Sequence, residues 1–425
     1  MNVPGTIILA ILSSVVLLGP RRWALLGMVA GVLFLTEGEA VDVLGVNMFA
    51  IRFLEVAGFI RVSIRKEFDF SKLNKIDKLF LWFNSYTTVV FLIRSSEGHA
   101  YQIGAMVDAL FCYFTFRGLV QNIEDFKQFL SDFVFLLVPY FILVVIQGVT
   151  ANNPFAIVGG SQSFMFRHGR PRCFGTFRHP DLLGSFAVTF LPLFIGYGLT
   201  RKKRFHALLG IISCLGIVFF TNSGGPMGAL AVSLVGWLLW PMRNKMGLVR
   251  RSLAAMLAIV ALFMKSSIWY LPARASEIFG GHGWHRSYLM DVAFKNIGKW
   301  WLAGMPIAET KNWFPYLVSV TGGADITNQY LHFGLYAGLG SMILFIVLLI
   351  QAFRSLGVSL RASYADSSVC HKFMLWGLGV MLSVHIINWI NVSYFDQFSV
   401  IWFLQLSVIS SVTIGTNIVS KLDKT

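Results

Sequence analysis

Between two long apolar segments, the stretch Phe166 to Gly184 reads FRHGRPRCFGTFRHPDLLG. It holds Arg167, Arg170, Arg172 and Arg178 with His168 and His179, and no acid precedes Asp181. A guanidinium suits a phosphate because its planar fork bonds two oxygens at once. Pro180 and Asp181 suit the first turn of a helix. A helix N-terminus offers free backbone N–H groups to an anion, and Arg178 beside it reinforces such a site. Any one of these arginines could equally meet a lipid headgroup or a neighbouring acid. The four together point to a bound anion: phosphate, diphosphate or an acidic sugar. A second cluster is Gly280-Gly281-His282-Gly283-Trp284-His285-Arg286, with Arg274 upstream in WYLPARASE. Its glycines allow tight backbone, but the spacing is not that of a nucleotide P-loop. Asp325 and Asn328 follow in GGADITNQY. Asp325, His285 and His179 are, in that order, the groups able to take a proton from an attacking hydroxyl; Asp325 reads equally well as a helix cap.

The elements that must position these residues are membrane spans. The chain has 425 residues, 56% of them hydrophobic and 13% charged, where soluble domains carry about 25% charged residues. Apolar runs recur from end to end and imply an all-α, polytopic membrane protein with about 12–13 transmembrane helices. The expected spans are 4–19, 23–36, 43–60, 79–94, 101–119, 128–148, 182–199, 205–221, 227–241, 252–270, 328–351, 373–390 and 397–415. The net charge of +15 is no nucleic-acid signal, because most of it sits in short loops between spans. Arg21-Arg22, the 61–78 loop, Arg117 with Lys127, the RKKR run from Arg201 to Arg204, the 243–251 loop, Arg354 to Lys372 and the C-terminal lysines fall on one side by alternation. The positive-inside rule makes that side cytoplasmic. The N-terminus is then outside and the C-terminus inside. Two larger segments face outward, 150–180 and 266–327, and everything reads as one membrane domain, 1–425. The first apolar run has no basic n-region and reads as a retained span. Ser287 to Trp301 has helical amphipathic spacing with Trp300-Trp301 suited to the headgroup layer. That helix either lies on the outer membrane surface or simply covers the span tops.

Within the spans, Arg52 and Glu55 are three residues apart and expected to pair with each other. Asp108 and Asp132 are further intramembrane acids, and His385 with Asn388 suggests interhelical hydrogen bonding. Glu37, Glu39 and Asp42 form a weak cation-binding signal that negative-outside bias explains equally well. Cys112, Cys173, Cys214 and Cys370 show no metal-binding spacing, and only Cys173 is expected outside, so neither a metal site nor a disulfide is expected.

From about Arg170 to Gly340 the chain resembles the O-antigen polymerase and O-antigen ligase superfamily, Wzy-type and ligase-type integral membrane proteins of bacterial surface polysaccharide pathways. Gly175-Thr176-Phe177-Arg178-His179-Pro180-Asp181-Leu182-Leu183-Gly184 is similar to that family's G-x-F-x-H-P-N-x-x-G segment. Thr221-Asn222-Ser223-Gly224-Gly225 resembles its T-x-S-R-G turn. His285-Arg286 with Leu302-Ala303-Gly304 resembles R-x-x-x-W…P-x-x-G-x-G. Thr327-Asn328-Gln329-Tyr330-Leu331 with Gly338-Leu339-Gly340 resembles H-N-x-Y-L…G-x-x-G. Two positions depart: the turn has a glycine where arginine is common, and Thr327 stands where ligases place a histidine.

The resemblance implies a GT-C-like, metal-independent, inverting glycosyltransferase with no cofactor. Its donor would be an undecaprenyl diphosphate-linked glycan, used on the periplasmic face of the bacterial inner membrane. Arg172 and Arg178 are the first choices for the diphosphate, with Arg286 and Arg274 opposite, and Arg167, Arg170 and Asn328 nearby. Thr327 favours a polymerase of exopolysaccharide type over a ligase that transfers glycan to another acceptor. Such a pathway implies membrane lipid, a flippase and a chain-length regulator as candidate partners, and no nucleic acid. Two rival readings stand beside it: a metal-dependent polyprenyl-linked sugar transferase built on the acids near Glu39, and a lipid-linked oligosaccharide flippase, a non-enzyme. Against the flippase, no internal repeat is visible and most functional-looking residues lie outside the membrane.

Overall fold

The computed structural model describes residues 1–36, 38–43, 46–162, 164–200, 203–279, 283–313, 322–363 and 369–422. Among these the order begins α1 (Val3–Leu18), α2 (Arg21–Phe34), β1 (Ala40–Val43), β2 (Val46–Phe49), α3 (Ala50–Ile64), α4 (Lys75–Arg94), α5 (His99–Leu119) and α6 (Ile123–Thr150). There follow β3 (Met165–Arg167), β4 (Arg170–Arg172), α7 (Pro180–Gly198), α8 (Arg204–Thr221), α9 (Gly224–Leu238) and α10 (Met246–Phe263). The chain continues with α11 (Leu271–Phe279), α12 (Gly283–Lys295), α13 (Ile297–Trp300), α14 (Gln329–Ala362), α15 (Val369–Asn391) and α16 (Ser399–Leu422).

The protein is all-α and polytopic. A helix stands at each of the expected span positions. Seven of them are long and apolar enough to cross a membrane, and α1, α9 and the Ser399–Thr413 part of α16 are shorter apolar helices. The third expected span begins later than its hydropathy suggests, because Ala40–Val43 and Val46–Phe49 pair as antiparallel strands. Polar caps set several starts. Asn74 accepts the Ile76 and Asp77 N–H groups while Asp77 accepts the Asn74 N–H, a reciprocal capping box on α4. Asn122 caps α6, with Glu124 and Asp125 in its first turn.

The cationic segments gather at one end of the bundle, as the alternation of the sequence requires. Arg61, at the end of α3, donates to the carbonyls of Val16 and Gly19 at 2.8 and 2.6 Å. Lys203 reaches Ser131 Oγ on α6 at 2.9 Å, and His371 meets Glu124 at 2.8 Å. Arg117 and Asp77 form a buried pair at 2.9 Å, reinforced by the hydroxyls of Tyr113 and Ser410. Asp132 is paired with Arg22 and also accepts from Gln128 at 3.0 Å. Every oxygen of these buried acids therefore has a donor nearby, which is what keeps a charge tolerable there.

At the opposite end, α14 is broken. Ala337 and Gly338 leave helical geometry, with Gly338 at φ 76° and ψ 179°. Only glycine enters that region readily. A Cβ on Gly338 would collide with the carbonyl oxygen of Leu302. The backbone groups freed by the break are met by the segment after α13: Met305 donates to the Leu335 carbonyl and Leu339 to the Trp301 carbonyl, both at 2.8 Å. Irregular backbone at a membrane surface persists where such partners exist. Leu302-Ala303-Gly304 and Gly338-Leu339-Gly340, distant in sequence, are thus in contact.

Ser287 to Trp301 is helical, but not as one amphipathic rod. It divides at Asn296 into α12 and α13. His285, Ser287 and Asp291 are buried alongside Leu289 and Ala293, while Trp284 is exposed. The helix packs against α11 and touches α15 rather than standing free on one apolar face. Trp300 corrects the headgroup expectation: it is fully buried, in a small apolar cluster with Leu289, Met305 and Leu335, and its indole donates to the Ala293 carbonyl at 2.9 Å. Trp301 remains half exposed.

Candidate functional site

Five helix ends converge at the end of the bundle opposite the cationic loops: the starts of α7, α9 and α14 and the ends of α8 and α15. Above them folds the β3–β4 hairpin. Its two-residue turn is His168-Gly169, both with positive φ (51° and 70°), the geometry that matches the twist of a tight hairpin. The register places Arg167 opposite Arg170 and Met165 opposite Arg172. All four side chains therefore leave the same face of the hairpin. The hairpin is tied down by Asn222, at the end of α8, whose amide donates to the Arg167 carbonyl at 2.9 Å, and by Cys173, whose N–H reaches the Phe220 carbonyl at 3.0 Å. The turn Thr221–Gly225 and the arginine stretch, separate motifs in the sequence, are one structure here.

Asp181 is the centre of the site. One carboxylate oxygen accepts from Arg172 Nη2 at 3.0 Å and the other from Arg286 Nη2 at 3.3 Å. Arg172 Nη2 also donates to Ser223 Oγ at 2.8 Å, and Arg286 Nε to the Asn391 carbonyl at 2.7 Å. The two arginines come from the hairpin and from α12, and the acid opens α7. A cavity of about 160 Å³ lies beside them, lined by Phe166, Arg167, Arg172, His179, Asp181, Gly224 and Arg286. Among the described residues, three guanidinium groups face one carboxylate, so the lining they form carries an excess of positive charge. Arg172 Nε is buried with no acceptor among the described residues. A cation with a spare buried donor, next to an open space, asks for an anion.

Burial lowers the proton affinity of Arg172 and of Arg286, Asp181 pulls it back up, and Arg167 lowers it further in both. Both stay charged, since a guanidinium does not lose its proton in proteins. His179 caps α7: its Nδ1 accepts the Asp181 N–H at 3.1 Å. Burial holds its pKa below the usual 6.5, Asp181 and Asp325 raise it, and Arg172 and Arg286 lower it again. A neutral ring whose Nδ1 is already an acceptor carries its proton on Nε2. His179 therefore presents an N–H to the cavity, a donor to an anion rather than a base.

Asp325 is exposed and is not among the residues lining the cavity. Crowding by surrounding protein raises its carboxyl above the usual 3.8, while the charges of His179, Arg178 and Arg286 oppose that rise. The same couplings place it across from these cations. It does not cap α14. Asn328 does, accepting the Leu331 N–H at 3.0 Å, so Asn328 positions the start of α14. His285 is buried on α12 and does not line the cavity.

The remaining arginines divide. Arg178 is exposed, 5.8 Å over the ring of Phe395, and electrostatically coupled to Asp325. Arg170 leans on the Phe219 ring at 4.4 Å, at the outer edge of the hairpin. Arg274 is exposed on α11 and pairs with Glu277 at 3.2 Å, three residues along the same helix. It does not line the cavity, contrary to the place expected for it opposite Arg172. The glycines Gly280-Gly281 and His282 lie outside the described residues. So does Glu37 of the proposed acidic trio; its companion Glu39 is buried and accepts the Asn2 N–H at 2.7 Å. The sequence marks Asp181 only as a helix-start residue, since no local pattern reveals an acid whose partners are 9 and 105 residues away.

Compared with known protein families, with curated proteins and with solved structures, the chain matches none.

Proposed function

We propose that this protein is a membrane glycosyltransferase that joins lipid-linked glycan units into a surface polysaccharide, taking an undecaprenyl diphosphate-linked donor on the periplasmic face of a bacterial inner membrane. The observation that carries the reading is the cavity lined by Arg167, Arg172 and Arg286 around the single carboxylate of Asp181. It sits where helix ends meet two covering segments, and in this reading a lipid-anchored headgroup reaches it there. Its charge suits a diphosphate, and its position at the bundle end away from the cationic loops suits the outer side.

In this reading an acceptor sugar hydroxyl attacks the anomeric carbon, and the bond from that carbon to the diphosphate oxygen breaks. Charge grows on the leaving diphosphate, where Arg172, Arg286 and the His179 N–H stand ready to meet it. The proton from the hydroxyl passes to Asp325. No metal enters the scheme. Thr327, where ligases place a histidine, supports chain extension over transfer to a different acceptor. The test is release of undecaprenyl diphosphate from a labelled lipid-linked glycan by purified protein. Release that needs an acceptor glycan supports the reading; a donor left intact under all acceptor conditions removes it.

A further inference from the structure

A second polar cluster lies between α3 and α5, away from the cavity. Arg52 was expected to pair with Glu55 on its own helix. It pairs instead with Asp108 on α5, through Nε at 2.9 Å and Nη2 at 2.8 Å. Arg52 is admitted by Gly104, one turn before Asp108, where a Cβ would come within 3.1 Å of Nη2. Glu55 is 4% exposed and lies within hydrogen-bonding reach of Asp108. Its Oε2 is buried with no partner among the described residues. Among the described residues, the other titratable group facing the pair is the buried thiol of Cys112, on the same face of α5.

The charges do not balance. Among the described residues, one guanidinium meets two carboxyls between packed helices, where an unpaired carboxylate is costly. Two carboxyls in mutual contact are compatible with one ionised group and one acid, which donates to its neighbour. Asp108 holds the arginine, so the acid is Glu55.

We propose that Glu55 and Asp108 form a proton-binding site within the bundle, holding one shared proton at neutral pH. The occupant is a proton and not a metal cation, because the cluster already contains a fixed cation on Asp108. Nothing in this site depends on the glycosyltransferase reading.

The experiment uses the full chain in lipid nanodiscs at neutral pH, probed with dicyclohexylcarbodiimide. A protonated carboxyl adds across this reagent and rearranges to a stable N-acylurea, which peptide mass spectrometry locates. The expected result is labelling at Glu55, lost in Glu55→Gln. In Asp108→Asn, Arg52 turns to Glu55, which ionises, and labelling at Glu55 falls about tenfold or more, the change one pKa unit brings. Replacing choline by sodium in the buffer leaves the label unchanged. Protection by sodium would make the occupant a cation and overturn the proposal. Undiminished labelling in Asp108→Asn would show that burial alone holds the proton, and overturn the shared pair. The infrared difference spectrum between wild type and Glu55→Gln covers the case in which the reagent fails to reach the site. It must contain the C=O stretch of a protonated carboxyl, and its absence would overturn the proposal.

Discussion

Arg286→Ala is the substitution whose consequences the structure defines most fully. Arg286 is buried, with 11% of its side chain exposed. It joins three elements, running from α12 to the Asn391 carbonyl at the end of α15 and to Asp181 at the start of α7. Removing it takes away one of the three cavity guanidiniums. A hydrogen bond to a charged group contributes about 1.5–3 kcal/mol, so a bound diphosphate should lose roughly 10- to 150-fold in affinity. Asp181 keeps Arg172, and the Asn391 carbonyl loses its donor, so the fold should lose about 1–3 kcal/mol as well. Arg286→Lys retains the charge, but one ammonium cannot reproduce a fork that spans Asn391 and Asp181, so its loss should be intermediate. The assay is displacement of a fluorescent polyprenyl diphosphate from purified protein, with thermal unfolding measured in parallel. Arg274→Ala is the control, since Arg274 is exposed and pairs along its own helix. Unchanged affinity in Arg286→Ala, or an equal loss in Arg274→Ala, would refute the assignment of the cavity to a diphosphate.

Three further outcomes are expected. If Asp325 accepts the acceptor proton, turnover rises with pH through its pKa, which crowding by surrounding protein places above the usual 3.8; Asp325→Asn removes that limb from the pH–rate profile. Gly338→Ala should destabilise the protein by about 1–3 kcal/mol from backbone geometry alone, and by more because the new methyl meets Leu302, as a thermal melt in detergent would read. Asp77→Ala leaves Arg117 buried without its carboxylate, and the melt should show a loss of about 3–5 kcal/mol.

What the sequence revealed and what it hid follow from range. Span positions were legible because hydropathy is local, and the end-to-end alternation of charge correctly gathered Arg61, Arg117 and Lys203 at one end. The arginines of the 166–184 stretch and Arg286 were legible as a charge excess, and Arg172 and Arg286 do meet. Asp181, which brings them together, was hidden, since nothing near it in sequence marks partners from other elements. The same reason explains Arg52, read toward Glu55 three residues away although its partner is Asp108 on another helix. The β3–β4 hairpin was hidden because its His168-Gly169 turn is short and its strands are charged rather than alternating. Trp300 looks interfacial by residue type; its ring packs on Gly334 of α14, a long-range fit that no periodicity announces.

The central claim is tested most directly by incubating purified protein in detergent with a purified undecaprenyl diphosphate-linked repeat unit and resolving the products on a gel. Detergent removes the two compartments that transport needs. A polymerase yields a ladder of products longer than the donor, formed in the presence of EDTA. An unchanged donor band from correctly folded protein would contradict the claim.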